Sequence, residues 1–545
     1  MTSNKVPGHK AVKLMLLLLA AMLVVAGCGS GGGSKEASEV SIEDRYTVDP
    51  ETPAWQLDKK SETTELTWYV NADWWNTDFG KDVVTKKIKE DLNVDIKFIT
   101  GDDTKLNTFF AGGDMPDLLT IFDSNSPVVQ KAATWAQPLN KLAEKYDPYF
   151  TKVAAADTLN WFQSKDGNTY GYPNYSNTQA DYDSGNIPAK TAFVIRKDVY
   201  EALGSPDFGT PEAFQKTMNE IKSKFPDMIP FGFNAVGEGT GSLGDTLQDF
   251  LGVPLETEDG KFYNRNLDED YLTWLRTLNA VYRDGAISDD SFADDGTGFE
   301  EKVKSGKYAT MLLDGTPQQG GNLQIFMSAN PGKEYMAVDG PQSTVGHQPT
   351  LNQSGITGWM ISYITKNCKD PAKAIQIFTY LLSEEGQKLM NYGIEGVTYK
   401  TNADGTVELL PEVKDLQLNN ADKFKKDYRM GEFMFFGHDR HKALSKDAFP
   451  EAIKQMQEWG KGKLKPHFIL ENTNPDQGTP EARGLTAINT NWNTTLVSMI
   501  RAKDDATFDS VLAEHKAFLD KNNWDKIVEV RSEKMKANKA KLGIQ

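Results

Sequence analysis

Three strand-like runs open the ordered part of this sequence: LTWYV at residues 66–70, VDIKF at 94–98 and DLLTIF at 117–122. Apolar residues dominate the first and third runs and alternate with polar residues in the second, the patterns of buried and half-buried strands. Between the runs, apolar residues recur at helical spacing. This alternation of strand and helix predicts parallel pairing through right-handed crossovers. We therefore predict an α/β fold in which these strands end at one edge of a sheet.

The loops at that edge form the first candidate ligand site. The loop after the first strand carries Asn71, Asp73, Trp74 and Trp75, and the turn after the third strand carries Asp123. In open α/β sheets, ligands bind outside the C-terminal ends of the strands. Two adjacent residues of an extended chain point to opposite sides, so the two indoles cannot both face one core. We predict that these five residues contact a ligand.

Aromatic residues also stand beside polar turns elsewhere, namely Trp161, Tyr172, Tyr175, Trp359 and Trp492. The flat C–H faces of sugar rings pack on indole and phenol rings, while sugar hydroxyl groups hydrogen-bond to Asp, Asn, Glu and Arg. The alternative for any tryptophan is ordinary core packing, which we predict for Trp68 and Trp274. We add Tyr175, Trp359 and Trp492 to the predicted carbohydrate-binding residues.

Length and charge restrict the class of protein. A chain of 545 residues is too long for one compact core and predicts two or three domains. Strand patterns at 191–196 and 308–313 belong to a second lobe by this interpretation. The net charge is −17 and the pI about 5.0, with no basic stripe. Nucleic acid is therefore excluded as the main partner.

The N-terminus has the pattern of an export signal. Lysines precede an apolar run at 14–25, which is too short for a comfortable membrane span and ends at Ala26-Gly27-Cys28. Val25–Cys28 is similar to a bacterial lipobox. We predict that residues 1–27 are removed and that Cys28 carries a lipid. Residues 28–61 are glycine-rich, then polar, and are predicted to be a flexible tether.

Motifs for catalysis are weak. Gly239, Gly241 and Gly244 match a dinucleotide fingerprint only as a string, because they do not directly follow a strand. His438 and His441 lack a third metal ligand at a recognisable spacing. The chain contains no nucleophile elbow, phosphate-binding loop or zinc-protease motif. Paired carboxylates for glycoside cleavage stay open, since their separation is three-dimensional.

The single cysteine that remains after Cys28 is Cys368. No disulfide within the chain is then possible. It lies beside a strand-like run at 359–364, which predicts a buried thiol that acts as a small apolar residue.

Several segments resemble extracellular solute-binding lipoproteins of oligosaccharide ABC importers. These segments are AGGDMPD at 111–117, GNTYGYP at 167–173, IRKD at 195–198, SGKYA at 305–309 and NYGIEGV at 391–397. The resemblance extends from Leu66 to the C-terminus. It implies a type II periplasmic-binding-protein-like clamshell of two α/β lobes with hinge-crossing strands. By this likeness, lobe 1 comprises 62–192 and 355–435, and lobe 2 comprises 193–354 and 436–545.

The resemblance also implies which residues contact the ligand, and two departures from the family restrict what the site binds. Family ligand positions fall on 71–75, on the turn at Phe122-Asp123 and on Trp492. Some relatives have an acidic calcium loop where this chain has only residues 224–228, so we predict no calcium there. We also predict no other metal site and no cofactor. Asp314 stands where maltodextrin binders place a stacking tryptophan, which argues against maltose specificity.

These observations lead to a functional expectation. We predict a monomeric receptor without catalytic residues, held to the outer face of the cell membrane by its lipid. It would close around an oligosaccharide and present it to the permease subunits of an ABC importer. Two alternatives remain: a cell-surface polysaccharide-processing enzyme, and a sugar-sensing protein that signals to a receptor kinase.

Overall fold

The computed structural model of the chain describes residues 37–544 apart from 123, 125, 237–241, 352–354 and 447. Within these residues, no helix is long and apolar enough to cross a membrane. The fold is α/β with two lobes, each built around its own sheet, as predicted.

The strands have the following bounds: β1 Thr64–Val70, β2 Val94–Thr100, β3 Leu118–Ile121, β4 Gly171–Pro173, β5 Thr191–Arg196, β6 Ile229–Phe233, β7 Tyr308–Asp314, β8 Tyr335–Ala337, β9 Ile361–Ile364, β10 Tyr399–Thr401 and β11 Val407–Leu409. The first sheet has the order β2-β1-β3-β9-β4 and the second the order β6-β7-β5-β8. β10 and β11 pair as a separate hairpin.

The parallel pairing predicted for the first three strands is confirmed. β1 pairs in parallel with β2 on one side and with β3 on the other. β9 then pairs antiparallel with both β3 and β4. The N-terminal end of β9 therefore lies at the same edge as the C-terminal ends of its neighbours.

The helices cover both sheets. Their bounds are Ala54–Leu57, Val83–Leu92, Asp103–Gly112, Pro127–Gln130, Ala132–Trp135, Leu139–Tyr146, Phe150–Val153, Ala156–Trp161, Gln179–Asp183, Lys197–Ala202, Pro211–Lys224, Leu243–Phe250, Glu269–Arg283, Gly296–Lys304, Thr316–Ala329, Pro371–Leu382, Glu384–Tyr392, Pro411–Asn419, Ala421–Tyr428, Asp439–Lys442, Glu451–Gly460, Pro480–Ile500, Asp505–Lys521 and Trp524–Leu542, with 3₁₀ turns at Arg265–Leu267, Asp289–Phe292 and Phe468–Leu470. The helix Pro371–Leu382 is buried along its whole length against the first sheet.

The segment from 37 to 61 is not the flexible tether that its polar composition predicted. Tyr46 and Ala54 are buried against the first lobe. Arg45 forms ion pairs with Asp58 and Asp370, at 2.5 and 2.9 Å. Few apolar anchors were visible in the sequence because charged side chains hold much of this segment. The remainder of the predicted tether, 28–36, lies outside the described residues.

Asp147 joins this segment to the lobe and makes stability depend on pH. Its carboxylate accepts a hydrogen bond from the amide of Ala54 at 3.1 Å. Burial raises the pKa of Asp147 from 3.8 to about 6. Because the folded state then holds this proton more tightly than the unfolded state, unfolding free energy falls as pH rises from about 4 to 6. The loss is about 3 kcal/mol at most.

Asp147→Asn is expected to abolish that contribution while keeping an acceptor for the Ala54 amide. Urea unfolding of the wild type and the variant between pH 4 and pH 7 measures it, and their difference should change steadily across this range. Two curves that stay parallel would contradict the assignment.

The loop after Phe435 stays with the first lobe further than predicted. Phe436 is buried in the first lobe's core, and the hydroxyl of Tyr392 donates to the carbonyl of His441. Ser445 forms an isolated bridge with Val407. The contacts favour a crossing into the second lobe shortly before the helix Glu451–Gly460, rather than at 435.

The C-terminal helix, Trp524–Leu542, contacts both lobes. Near its start, Ile527 is buried beside the helix Pro480–Ile500 of the second lobe. At its end, Lys541 Nζ donates to the backbone carbonyl of Trp161 at 2.6 Å. The side-chain amide of Asn160 donates to the backbone carbonyl of Lys541 at 3.0 Å. This single helix therefore bridges the lobes beside the crossing segments.

Candidate functional site

An aromatic face lies at the edge of the first sheet where β1, β3 and β4 end and β9 begins. We define it as Trp74, Phe122, Trp359 and Tyr175. Their ring centroids follow one another at 5.8 Å from Trp74 to Phe122, 5.5 Å from Phe122 to Trp359, and 6.5 Å from Trp359 to Tyr175. The register places Ile121 and Pro173 both opposite Ile361, which brings these loops together.

Trp74 and Trp359 are the accessible members of the aromatic face. Their side chains are 64% and 37% exposed, whereas most tryptophans of a folded domain are largely buried. Tyr175 is only 8% exposed. Exposed, adjacent aromatic rings are typical of binding surfaces, and flat aromatic rings suit the apolar faces of a sugar.

Trp75 takes the opposite orientation from Trp74. Its ring is 4% exposed and lies 4.7 Å from that of Phe435 in the core. The buried guanidinium of Arg429 lies 6.0 Å from the same indole and donates to the carbonyls of Asn76 and Asp78. Trp75 therefore anchors the loop that presents Trp74, and we leave it out of the proposed contact residues.

The polar residues of this loop lie beside Trp74. The side-chain nitrogen of Asn71 donates to the carboxylate of Asp103 at 2.7 Å. The side-chain oxygen of Asn71 accepts from the hydroxyl of Tyr69 at 2.9 Å. Asp73 is exposed. Asp123 lies outside the described residues.

Trp492 is not part of this surface. It lies within the helix Pro480–Ile500 and is fully buried in the core of the second lobe, with its ring 4.9 Å from the imidazole of His515. A helix presents one apolar stripe to its core, and Trp492 shares that stripe with Leu496 and Met499. We leave it out of the proposed site. Trp161 and Tyr172 are also buried.

A polar pocket of about 420 Å³ lies at the corresponding edge of the second sheet. Lys190 and Asp314, at the start of β5 and the end of β7, pair at 3.5 Å. Arg265 and Asp249 pair at 2.7 Å. His467 Nε2 lies 3.0 Å from the carbonyl oxygen of Thr350.

Several charged groups of this pocket are buried or paired with groups of opposite charge. Burial raises the pKa of Asp314 and lowers that of His467, because burial disfavours the charged form of each side chain. The cations Lys190 and Arg265 already face carboxylates. Paired, preoriented donors and acceptors of this kind hydrogen-bond well to hydroxyl groups. These residues were not predicted to form a site, because they come from distant parts of the chain.

The aromatic face and the polar pocket adjoin the same segment of the second lobe, residues 471–472. Ser124, two residues after Phe122, donates to the side chain of Asn472 at 3.0 Å. The neighbouring Glu471 lines the pocket, and its carboxylate accepts from the amides of Ile356 and Thr357. Burial raises the pKa of Glu471. These bonds join loops of both lobes at one place.

The weaker motif candidates from the sequence lie in ordinary structural positions where the structure describes them. Cys368 is buried, as predicted, and burial raises the pKa of its thiol. Gly244 lies in the helix Leu243–Phe250, while Gly239 and Gly241 are outside the described residues. Among the residues that are described, no group of three or more His, Cys, Asp or Glu side chains is arranged to hold a metal ion.

Two α/β lobes, with an aromatic face and a polar pocket at the strand ends of their sheets, are typical of clamshell receptors for small ligands. The chain belongs to the family of bacterial extracellular solute-binding proteins, whose model matches residues 72–388. A comparison with curated protein sequences gives no significant match.

Solved structures share this fold at low sequence identity. An extracellular solute-binding protein from Bifidobacterium longum subsp. infantis has a TM-score of 0.67 at 14% identity, over 87% of this chain and 98% of that one. An alginate-binding protein without calcium has 0.63 at 16%, over 88% and 99%. FusA, the substrate-binding protein of a Streptococcus pneumoniae ABC transporter, in complex with kestose, has 0.62 at 16%, over 88% and 100%.

Proposed function

We propose that this protein captures an oligosaccharide outside the cytoplasm and delivers it to an ABC importer without altering it. The observation that carries the proposal is the aromatic face, with Trp74 and Trp359 exposed at the strand ends of the first sheet. The contact residues we propose are Trp74, Trp359 and, beside them, Asn71 and Asp73. We also propose that Asp123 contacts the ligand, on the basis of its position in the sequence.

The related folds support the class of ligand. One of them was solved with kestose, and others are named for alginate or for N-glycan transport. Alginate is a polyanion, whereas Lys190 and Arg265, two cations of the polar pocket, are paired with carboxylates. We therefore expect a neutral oligosaccharide. Delivery to permease subunits follows from the family, with the closed form as the one that they recognise.

A thermal-shift screen tests the proposal. The panel contains neutral tri- to pentasaccharides of glucose, fructose, galactose and mannose, their monosaccharides, and alginate oligosaccharides. A ligand that binds only the folded state raises the unfolding temperature, and at equal concentration a tighter ligand raises it more. We expect a neutral oligosaccharide to do so and to be recovered intact. Shortened products would support the enzymatic alternative, and no shift with any member would contradict the proposal.

We also propose that a lipid on Cys28 holds the protein at the outer face of the membrane, as a monomer, after removal of residues 1–27. The support is the lipobox-like sequence before Cys28. Two lobes of about 62–192 with 355–448, and 193–354 with 449–545, complete the proposed organisation. The second lobe shares its C-terminal helix with the first.

Cys28→Ala is expected to move most of the protein from the membrane fraction to the soluble exported fraction, because the acyl chains supply the membrane affinity. Immunoblots of fractionated cells measure this. Cys368→Ala serves as the matched control and should stay in the membrane fraction. Unchanged membrane association of the Cys28→Ala variant would contradict the anchor.

A further inference from the structure

Tyr175 has a backbone conformation that is unusual for its size. It directly follows the strand–loop junction after β4 and has φ of +43°, in the left-handed region that bulky side chains rarely adopt. Its amide donates to the carbonyl of Gly437 at 2.6 Å. Strained backbone of this kind persists where the surroundings determine it, and it is concentrated at functional sites.

The ring of Tyr175 fills a space between three segments of the chain. It is nearly parallel to the indole of Trp359, at 16°. The ammonium group of Lys442 lies 4.3 Å from its centroid. A Cβ atom added at Gly437 would come within 2.7 Å of the ring. Gly437, Lys442 and Trp359 therefore all lie against the ring of Tyr175.

The neighbouring residue holds the backbone of Trp359. The side-chain oxygen of Asn174 accepts from the amides of Trp359 and Met360, at 3.4 and 3.1 Å. Gly358 has φ of +61°, and a Cβ atom there would meet the carbonyl oxygen of Asn174 at 1.9 Å. Both the backbone and the ring of Trp359 are thus oriented by Asn174 and Tyr175.

We propose that Tyr175 is a positioning residue that aims the exposed indole of Trp359 at the sugar, and that Gly437 and Lys442 hold Tyr175 in place. The inference rests on the proposed function and assigns Tyr175 a different role from the direct contact that its sequence position predicted. Its burial removes it from the ligand, and its packing makes the binding surface rigid. A surface ordered in advance loses less entropy on binding.

Two measurements test this role. In the first, calorimetry with the panel sugar that most stabilises the wild type compares Tyr175→Ala, Trp359→Ala and the double variant. We expect Tyr175→Ala to weaken binding about tenfold and the double variant to bind no more weakly than Trp359→Ala, because one effect acts through the other. Gly437→Ala should weaken binding in the same direction. Additive losses, or an unchanged affinity of Tyr175→Ala, would overturn the proposal.

The second measurement needs no ligand. In fluorine NMR of fluorotryptophan-labelled protein, the resonance that disappears in Trp359→Phe should shift or broaden in Tyr175→Ala and in Gly437→Ala. An unchanged resonance would overturn the proposal whatever the protein binds. If the resonance shifts while no sugar binds, the positioning role stands and the proposed ligand class fails.

Matched controls separate this role from loss of stability. Tyr170→Ala removes an equally buried tyrosine, which is 8% exposed. Tyr170 packs in a core cluster that contains neither Tyr175 nor Trp359. Gly321→Ala adds a Cβ that meets nothing within 4 Å. Neither should change sugar affinity or the Trp359 resonance.

Discussion

Replacing both Trp74 and Trp359 with alanine is expected to weaken oligosaccharide binding by about 10²–10⁴-fold. A central aromatic residue that packs on a ligand contributes about 1–3 kcal/mol, and the two indoles contact different parts of one surface. Phe122 lies between them, at 5.8 Å from Trp74 and 5.5 Å from Trp359. Each single variant should therefore lose part of the affinity, and the double variant nearly all of it. Isothermal calorimetry with the panel sugar measures the change.

The fold should tolerate these substitutions, because both side chains are exposed. Exposed substitutions usually change unfolding free energy by less than about 0.5 kcal/mol. Leu418→Ala is a suitable control, since Leu418 is 62% exposed in the helix Pro411–Asn419 and is not part of the aromatic face. Wild-type affinity in the double variant would reject the aromatic face as the binding surface.

The second large effect is expected for stability, at Asp58. Its side chain is fully buried and pairs with Lys373 at 2.9 Å and with Arg45 at 2.5 Å. Asp58→Asn removes the carboxylate that pairs with the buried Lys373 and leaves Arg45 with Asp370 as its remaining ion-pair partner. Breaking a buried ion pair in this way costs about 3–5 kcal/mol. We expect this loss of unfolding free energy in urea, together with faster hydrogen exchange of the segment 37–61.

Asp44→Asn is the matched control, because Asp44 lies in the same segment and is exposed. It should leave both unfolding and exchange close to those of the wild type. An Asp58→Asn variant as stable as the wild type would mean that the buried network does not hold this segment.

The first sheet shows how far local patterns reach. The apolar runs of β1, β2 and β3 are close in sequence and joined by single helices, so their parallel pairing could be predicted from the alternation of strand and helix. β9 could not be placed in this way, because it returns to pair with β3 after a whole second lobe. The pairing of β9 with β3, which no local sequence pattern indicates, brings Trp359 to the aromatic face.

Trp74 and Trp75 show the same division at the level of two residues. Their adjacency predicted that they could not both face one core, which the structure confirms. Which of them faces inward depends on Phe435 and Arg429, which approach from far along the chain. The polar composition of 37–61 was misleading for a related reason, since its partners Asp370 and Lys373 are also distant.

By itself, the sequence determined the α/β class, the two-lobed family and the loops at the strand ends, because these depend on hydrophobic periodicity, on chain handedness and on motifs that are local. The tertiary structure alone decided which aromatic rings are exposed and that Trp492 lies in the core. It also placed a polar pocket that contains ion pairs at the edge of the second sheet. Exposure and ion pairing depend on residues far apart in sequence, and only the packed chain brings those residues together.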